Sequence, residues 1–153
     1  MSGKIGGAGS KSGVIGTTEL DYEEGTWTPQ VYAGSSTMST ATGNDSPEAT
    51  YTRTGNLVYL TINLWGLPVG SSSGALQIRN LPFTSAEHAV FSVRQEYYPK
   101  AYEIVPVYYL SPSSTSIIIY DAGGGSAWLT DATVANILTG NFFARIAGTY
   151  KVQ

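Results

Sequence analysis

Residues 56–65 read Asn-Leu-Val-Tyr-Leu-Thr-Ile-Asn-Leu-Trp, and the alternation in this stretch decides the fold. Val58, Leu60, Ile62 and Leu64 fall on one side of an extended chain, and Tyr59, Thr61, Asn63 and Trp65 on the other. On a helix these residues would scatter around the axis. On a strand, where successive side chains point to opposite faces, they make one apolar and one polar face. The stretch therefore predicts a half-buried strand. Residues 87–95 repeat the pattern, with Ala89, Phe91 and Val93 inward and His88, Ser92 and Arg94 outward.

Working outward, shorter runs rich in Tyr, Val, Ile and Thr predict strands over 26–33, 49–54, 75–79, 102–110, 116–121, 127–130 and 141–152. Turn residues separate them: Thr54-Gly55-Asn56, residues 70–74, Asn80-Leu81-Pro82, residues 111–114 and residues 123–125. Pro99, Pro106 and Pro112 lie in or beside residues 97–110, which predicts an edge strand, a broken strand or a long loop there, because proline cannot donate to a ladder. One short helix is a candidate over 131–138, with Asp131 as its cap. Short strands at this spacing, with no helical pattern between them, predict an all-β antiparallel sandwich of jelly-roll type.

Composition narrows the function. A chain of 153 residues makes one domain. Only 12% of its residues are charged, and it carries 18 glycines, 11 tyrosines and a net charge of −3. With a pI near 5.0 the chain lacks the basic surface that nucleic acid or an anionic membrane would require. No apolar run reaches the ~18 residues of a membrane-spanning helix. One histidine and no cysteine remove most nucleophilic, zinc and redox chemistries, so the expectation is a binding or structural protein without cofactor, metal ion or catalytic residues.

The chain divides into residues 1–16 and residues 17–153. The first part holds six glycines, Lys4 and Lys11, no acid, and only Ile5, Val14 and Ile15 as sizeable apolar groups. Ordering such a segment costs about 1–2 kcal/mol per residue in backbone entropy, more than so few apolar groups offset. It is expected to be an extended arm that takes shape against a partner. The GGAGSKS run within it lacks the glycine before lysine, and the strand and helix, that a phosphate-binding loop needs.

Elsewhere, Glu23 and Glu24 are adjacent and point to opposite faces of an extended chain, so they do not form a hydrolytic carboxylate pair; a solvated acidic turn is the expectation. Asp121 before residues 123–125 supplies one carboxylate, too few for a cation site. His88 has no partner near it in sequence and is expected at the surface. Tyr97, Tyr98, Tyr102, Tyr108 and Tyr109 cluster in the proline-broken region. They suit a subunit interface, core packing or stacking on sugars.

Residues 21–29, DYEEGTWTP, resemble a signature of bacteriophage virion proteins, where it opens a β-sandwich of tail fibres, tailspikes and capsid decoration proteins. Residues 49–60 (ATYTRTGNLVYL) are similar to that family's next strand pair with its Tyr-x-Lys/Arg-x-Gly-Asn turn, residues 75–85 (ALQIRNLPFTS) to its Leu-Pro-Phe turn, and Gly148-Thr149-Tyr150 to its closing strand. The resemblance implies a homotrimer on the outside of a phage particle, made in the bacterial cytoplasm, where absence of cysteine is no handicap. Trimerisation would also cover edge strands.

Fibre members of the family generally carry a shaft or docking domain before the sandwich. Sixteen loose residues ahead of it instead suggest a capsid cement protein on the outer shell. Its arm would grip the major capsid protein through Lys4, Ile5, Lys11, Val14, Ile15 and Leu20. The alternative is a small tail-fibre tip or receptor-binding protein that recognises host cell-surface polysaccharide through the tyrosine-rich region.

Overall fold

The computed structural model describes residues 21–38, 48–68, 73–96, 106–122, 130–131 and 141–153. They form strands β1 (Tyr22–Trp27), β2 (Gln30–Ala33), β3 (Ser36–Thr37), β4 (Glu48–Thr54), β5 (Leu57–Pro68), β6 (Leu76–Arg79), β7 (Ala89–Glu96), β8 (Pro106–Leu110), β9 (Ile117–Asp121), β10 (Thr130–Asp131) and β11 (Asn141–Lys151). All pair antiparallel, in the order β1-β4-β5-β11-β7-β8-β9-β6-β2-β3, with β10 added to β9. The sheet curls on itself in the manner of a jelly-roll-like sandwich, and β7 is the hinge between its leaves. Residues 92–96 of β7 pair with β11, and residues 89–91 pair with β8.

β5 lies inside the first leaf, between β4 and β11, and its alternation is as the sequence predicts: Val58, Leu60, Ile62 and Leu64 are buried and Tyr59 and Trp65 exposed. The phase then changes. Ala144 faces Leu64 and Phe142 faces Leu67, so two residues of β5 oppose one of β11. Gly66 sits at φ 69°, the left-handed conformation a bulge of this kind uses. The bulge returns Leu67 to the core and leaves Trp65 outside, against Phe143 (ring centroids 5.0 Å apart).

The core is one buried cluster fed by both leaves. Leu60, Ile62, Leu64, Phe142, Ala144 and Ile146 come from the first, and Val31, Leu76, Ile78, Tyr108, Leu110, Ile117 and Ile119 from the second. At the hinge a ring replaces a side chain. Gly148 is the inward residue of β11 opposite Leu60, and the Phe91 ring fills the space a Cβ there would take.

Three local expectations are corrected. Residues 26–33 are not one strand: Pro29 is buried between β1 and β2, and the two strands lie near opposite ends of the sheet order. Of the three alternatives for residues 97–110, of which 97–105 lie outside the described residues, the edge strand is overturned, since β8 lies between β7 and β9. Pro106 is tolerated there because it is the first residue of β8 and lies beyond the β7 pairing, which begins at Tyr108. Asp131 is the last residue of β10 and pairs with Tyr120, while the rest of the candidate helix over 131–138 lies outside the described residues. Glu23 and Glu24 stand in β1 rather than in a turn, on opposite faces as their adjacency requires.

Candidate functional site

The motifs that carry the family resemblance meet in space, and they meet each other. Arg53 on β4 pairs with Asp21 (3.4 Å), donates from Nε to the Gly55 carbonyl (2.8 Å), and lies over the Phe83 ring (5.1 Å). Tyr51 packs edge-on against Phe83 and donates its hydroxyl to Glu23 (2.6 Å). That carboxylate raises the Tyr51 pKa through the hydrogen bond. Gly25 is glycine because the Tyr51 ring crosses over it, within 2.9 Å of where a Cβ would sit. Trp27 packs partly buried on the core.

From the closing strand, Tyr150 donates to the Phe83 carbonyl (3.2 Å), and burial pushes its pKa up to about 12. Ser85, fully buried, donates to the Ser111 carbonyl and accepts from the Ser114 amide (3.2 Å). These contacts clasp β1, β4 and the 81–85 turn onto the sandwich.

The outward face of the second leaf is different. Register places Val90, Tyr109, Ile118, Gln77 and Tyr32 in one row across β7, β8, β9, β6 and β2. Val90 is 64% exposed, an apolar side chain left to solvent. Tyr109 is hydrogen-bonded to His88 Nδ1 with the two rings stacked 5.5 Å apart, and it meets the Tyr120 ring edge-on at 5.8 Å. At the far end Arg79 lies over the Tyr32 ring at 4.0 Å and donates from Nε to Gln77 Oε1 (3.0 Å). The Tyr32 hydroxyl reaches Gln30 Oε1 (3.4 Å). Rings fixed by their neighbours, beside planar amides, a guanidinium and an imidazole, suit stacking and hydrogen bonding to a polyhydroxylated ligand.

The tyrosines expected to act together are separated. Tyr109 is on this face, whereas Tyr108 is 1% exposed and belongs to the core, one of the alternatives for that cluster. Tyr97, Tyr98 and Tyr102 lie outside the described residues, as do Lys4, Ile5, Lys11, Val14, Ile15 and Leu20. Tyr32, Arg79 and Tyr120 were not singled out by sequence. The signal available was their outward place beside Val31, Ile78 and Ile119, but only the ladder brings them onto one face.

Asp121 is buried at the inward end of β9. Among the described residues no three histidine, aspartate or glutamate side chains gather as metal ligands.

The chain is therefore an all-β, jelly-roll-like module with an aromatic and amide-bearing outer face. A solved structure of similar fold is the crystal structure of the Dettilon tailspike protein (gp208), with a TM-score of 0.62 and 18% sequence identity over 85% of this chain and 24% of that one. This chain thus spans about a quarter of the length of that tailspike. At such identity the likeness is one of fold. No family profile and no curated protein sequence matches the chain.

Proposed function

We propose that the chain is a structural module of a bacteriophage virion, carried on the tail side, that recognises host-surface glycan through the outer face of β2 and β6–β9. The observation that carries this reading is the outward, half-buried aromatic face in which Tyr109 stacks on His88 and meets Tyr120 edge-on, with Tyr32, Arg79 and Gln77 further along. Tyrosine rings stack on the C–H faces of pyranose sugars, and the amide, guanidinium and imidazole groups bond the hydroxyls. The fold shared with part of a tailspike and the motif resemblance support a virion setting. The module works by binding rather than catalysis. As one of three copies in a homotrimer, weak single contacts would add to strong attachment.

The test is binding of labelled full chain to host cells and competition with phage infection. Tyr109→Ala and Tyr120→Ala should each weaken cell binding about tenfold, as truncation of a central aromatic anchor does. Unaltered binding by the double variant overturns the assignment of this face.

A capsid-cement role is the second reading, and the observation favouring it is the basic, glycine-rich segment 1–16, with two lysines and no acid ahead of an acidic body. It predicts that the chain saturates purified capsid shells through contact with the major capsid protein, and that a chain lacking residues 1–16 folds but no longer decorates them. Tail-side function predicts no decoration by either form.

A further inference from the structure

The outer face of the first leaf holds most of the apolar side chains that the fold leaves to solvent. Of the five large apolar or aromatic side chains exposed among the described residues, Leu57, Tyr59 and Trp65 stand there on β5 and Tyr22 on β1. The registers place Tyr22, Thr54, Leu57 and Lys151 in one row across β1, β4, β5 and β11, and Glu24, Thr52, Tyr59 and Thr149 in the next. One step further, Thr61, Ala147 and Ser92 are small and leave a hollow of about 480 Å³ with almost wholly apolar walls. A contiguous patch of this kind marks contact with another macromolecule.

Its extent and its charges fit a second copy of this chain. From Leu57 to Trp65 is eight residue steps along β5, and from β1 to β7 is four strand spacings, which makes about 500 Å² of sheet. Two copies face to face would cover about 1,000 Å² before the relief of the side chains is counted, the size a specific interface needs. The charges are placed symmetrically but with opposite sign. Glu48 on β4 and Arg145 on β11 share a row with Asn63 of β5 between them, so they stand one strand to either side of β5. Both are exposed, and neither forms an ion pair among the described residues.

We infer that this face pairs with the same face of a second copy of the chain, about a two-fold axis running along β5. Such an axis keeps height along the strand and exchanges its two sides, so Glu48 of each copy comes over Arg145 of the other. Leu57, Tyr59 and Trp65 of both copies meet at the centre, an apolar and aromatic core with the charges to either side. Tyr59 of each copy is one register step from the other's hollow and long enough to enter it. Aligned sheets turn by about 30° to each other, and side chains as long as glutamate and arginine span the offset. An axis across the strands would stack β4 on β4 and β11 on β11 and lose the charge pairing. The glycan reading is not needed for this inference, and the pairing leaves the second leaf of each copy facing outward. A three-fold contact through other surfaces is compatible with it and gives six copies.

Native mass spectrometry and sedimentation equilibrium of the full chain count the copies. The expected assembly is even-numbered: two copies, or six where a three-fold contact also forms. Tyr59→Lys should weaken pairing about tenfold, cutting two copies to one or six to three, while circular dichroism shows the sheet retained. Glu48→Arg and Arg145→Glu should each weaken it about tenfold by setting like charges face to face. Mixed one to one, these two variants regain both opposite-charge contacts, so the mixed pair should form as the wild type does. That mixture decides the matter even where Tyr59→Lys fails to fold. One or three copies of the wild type, an assembly that folded Tyr59→Lys leaves unchanged, or a mixture no better paired than its components overturns the inference.

Discussion

Replacing Gly148 by alanine tests how the two leaves are joined. The inward Cβ would stand 2.6 Å from Phe91 Cδ1 and 3.4 Å from Phe91 Cα. An ordinary carbon contact is about 3.5–4.0 Å, so the ring edge must retreat by about 1 Å. It has little room: Phe91 is 4% exposed and packs against Tyr150, whose ring centroid is 6.4 Å away. Overpacking of this kind costs about 1–3 kcal/mol, and alanine regains about 0.4–1 kcal/mol by restricting the unfolded chain. The net loss is about 1–2 kcal/mol, or roughly 2–8 °C in Tm for a domain of this size.

Urea unfolding at constant m-value reads it directly. Phe91→Leu removes the ring edge, so the double variant should be more stable than the sum of the single changes by about 1 kcal/mol. Gly55→Ala is the control. Gly55 is at φ 60° with no atom within 4 Å of its would-be Cβ, so its cost, about 1–2 kcal/mol, is conformational and should not couple to Phe91. A Gly148→Ala midpoint equal to wild type, or zero coupling to Phe91→Leu, would refute the packing account.

Two further outcomes follow from the clasp. Ser85→Ala leaves the Ser111 carbonyl and the Ser114 amide without their buried partner, and should cost about 1–3 kcal/mol in urea unfolding while Ser85→Thr, which keeps the hydroxyl, recovers part of it. Tyr150, raised from 10.0 to about 12 on folding, contributes stability that is full below pH 10 and is lost as pH rises through about 12, because the unfolded chain releases that proton first. The unfolding midpoint should therefore fall across that window, and fall less steeply in Tyr150→Phe; equal slopes in the two proteins would contradict the burial of this hydroxyl.

What could be read from the sequence follows a physical line. β5 is legible because alternation needs no knowledge of neighbours: four apolar residues on one side of an extended chain must find a core. Its bulge is not legible, since the shift at Gly66 is defined by the partner strand. Residues 26–33 look continuous because both halves have strand composition, and only Pro29 hints that the chain leaves one leaf for the other. The tyrosine cluster shows both sides of the line. Tyr108 and Tyr109 are adjacent, so on a strand one must face inward, and Tyr108 does. That Tyr109 meets His88 and Tyr120, 21 and 11 residues away in the chain, depends on which strands pair, and pairing order is not written in local sequence.

The clasp bears on how far a motif resemblance can carry function. In the Asp21–Pro29 segment Asp21 holds Arg53, Glu23 accepts from Tyr51, Gly25 makes way for the Tyr51 ring, and Trp27 packs on the core. Each choice is explained by a partner inside the same domain, so any protein that builds this sandwich by the same clasp has reason to keep these residues, whatever it binds. The recognition proposed above is carried instead by outward positions of β2 and β6–β9, which lie outside that clasp. Two proteins can then share the motif and the fold and still attach to different surfaces, a capsid in one case and a cell envelope in another. On the proposed function, substituting Tyr109 or Tyr120 should weaken cell binding more than it moves the unfolding midpoint. Substituting Arg53 or Tyr51 should do the reverse.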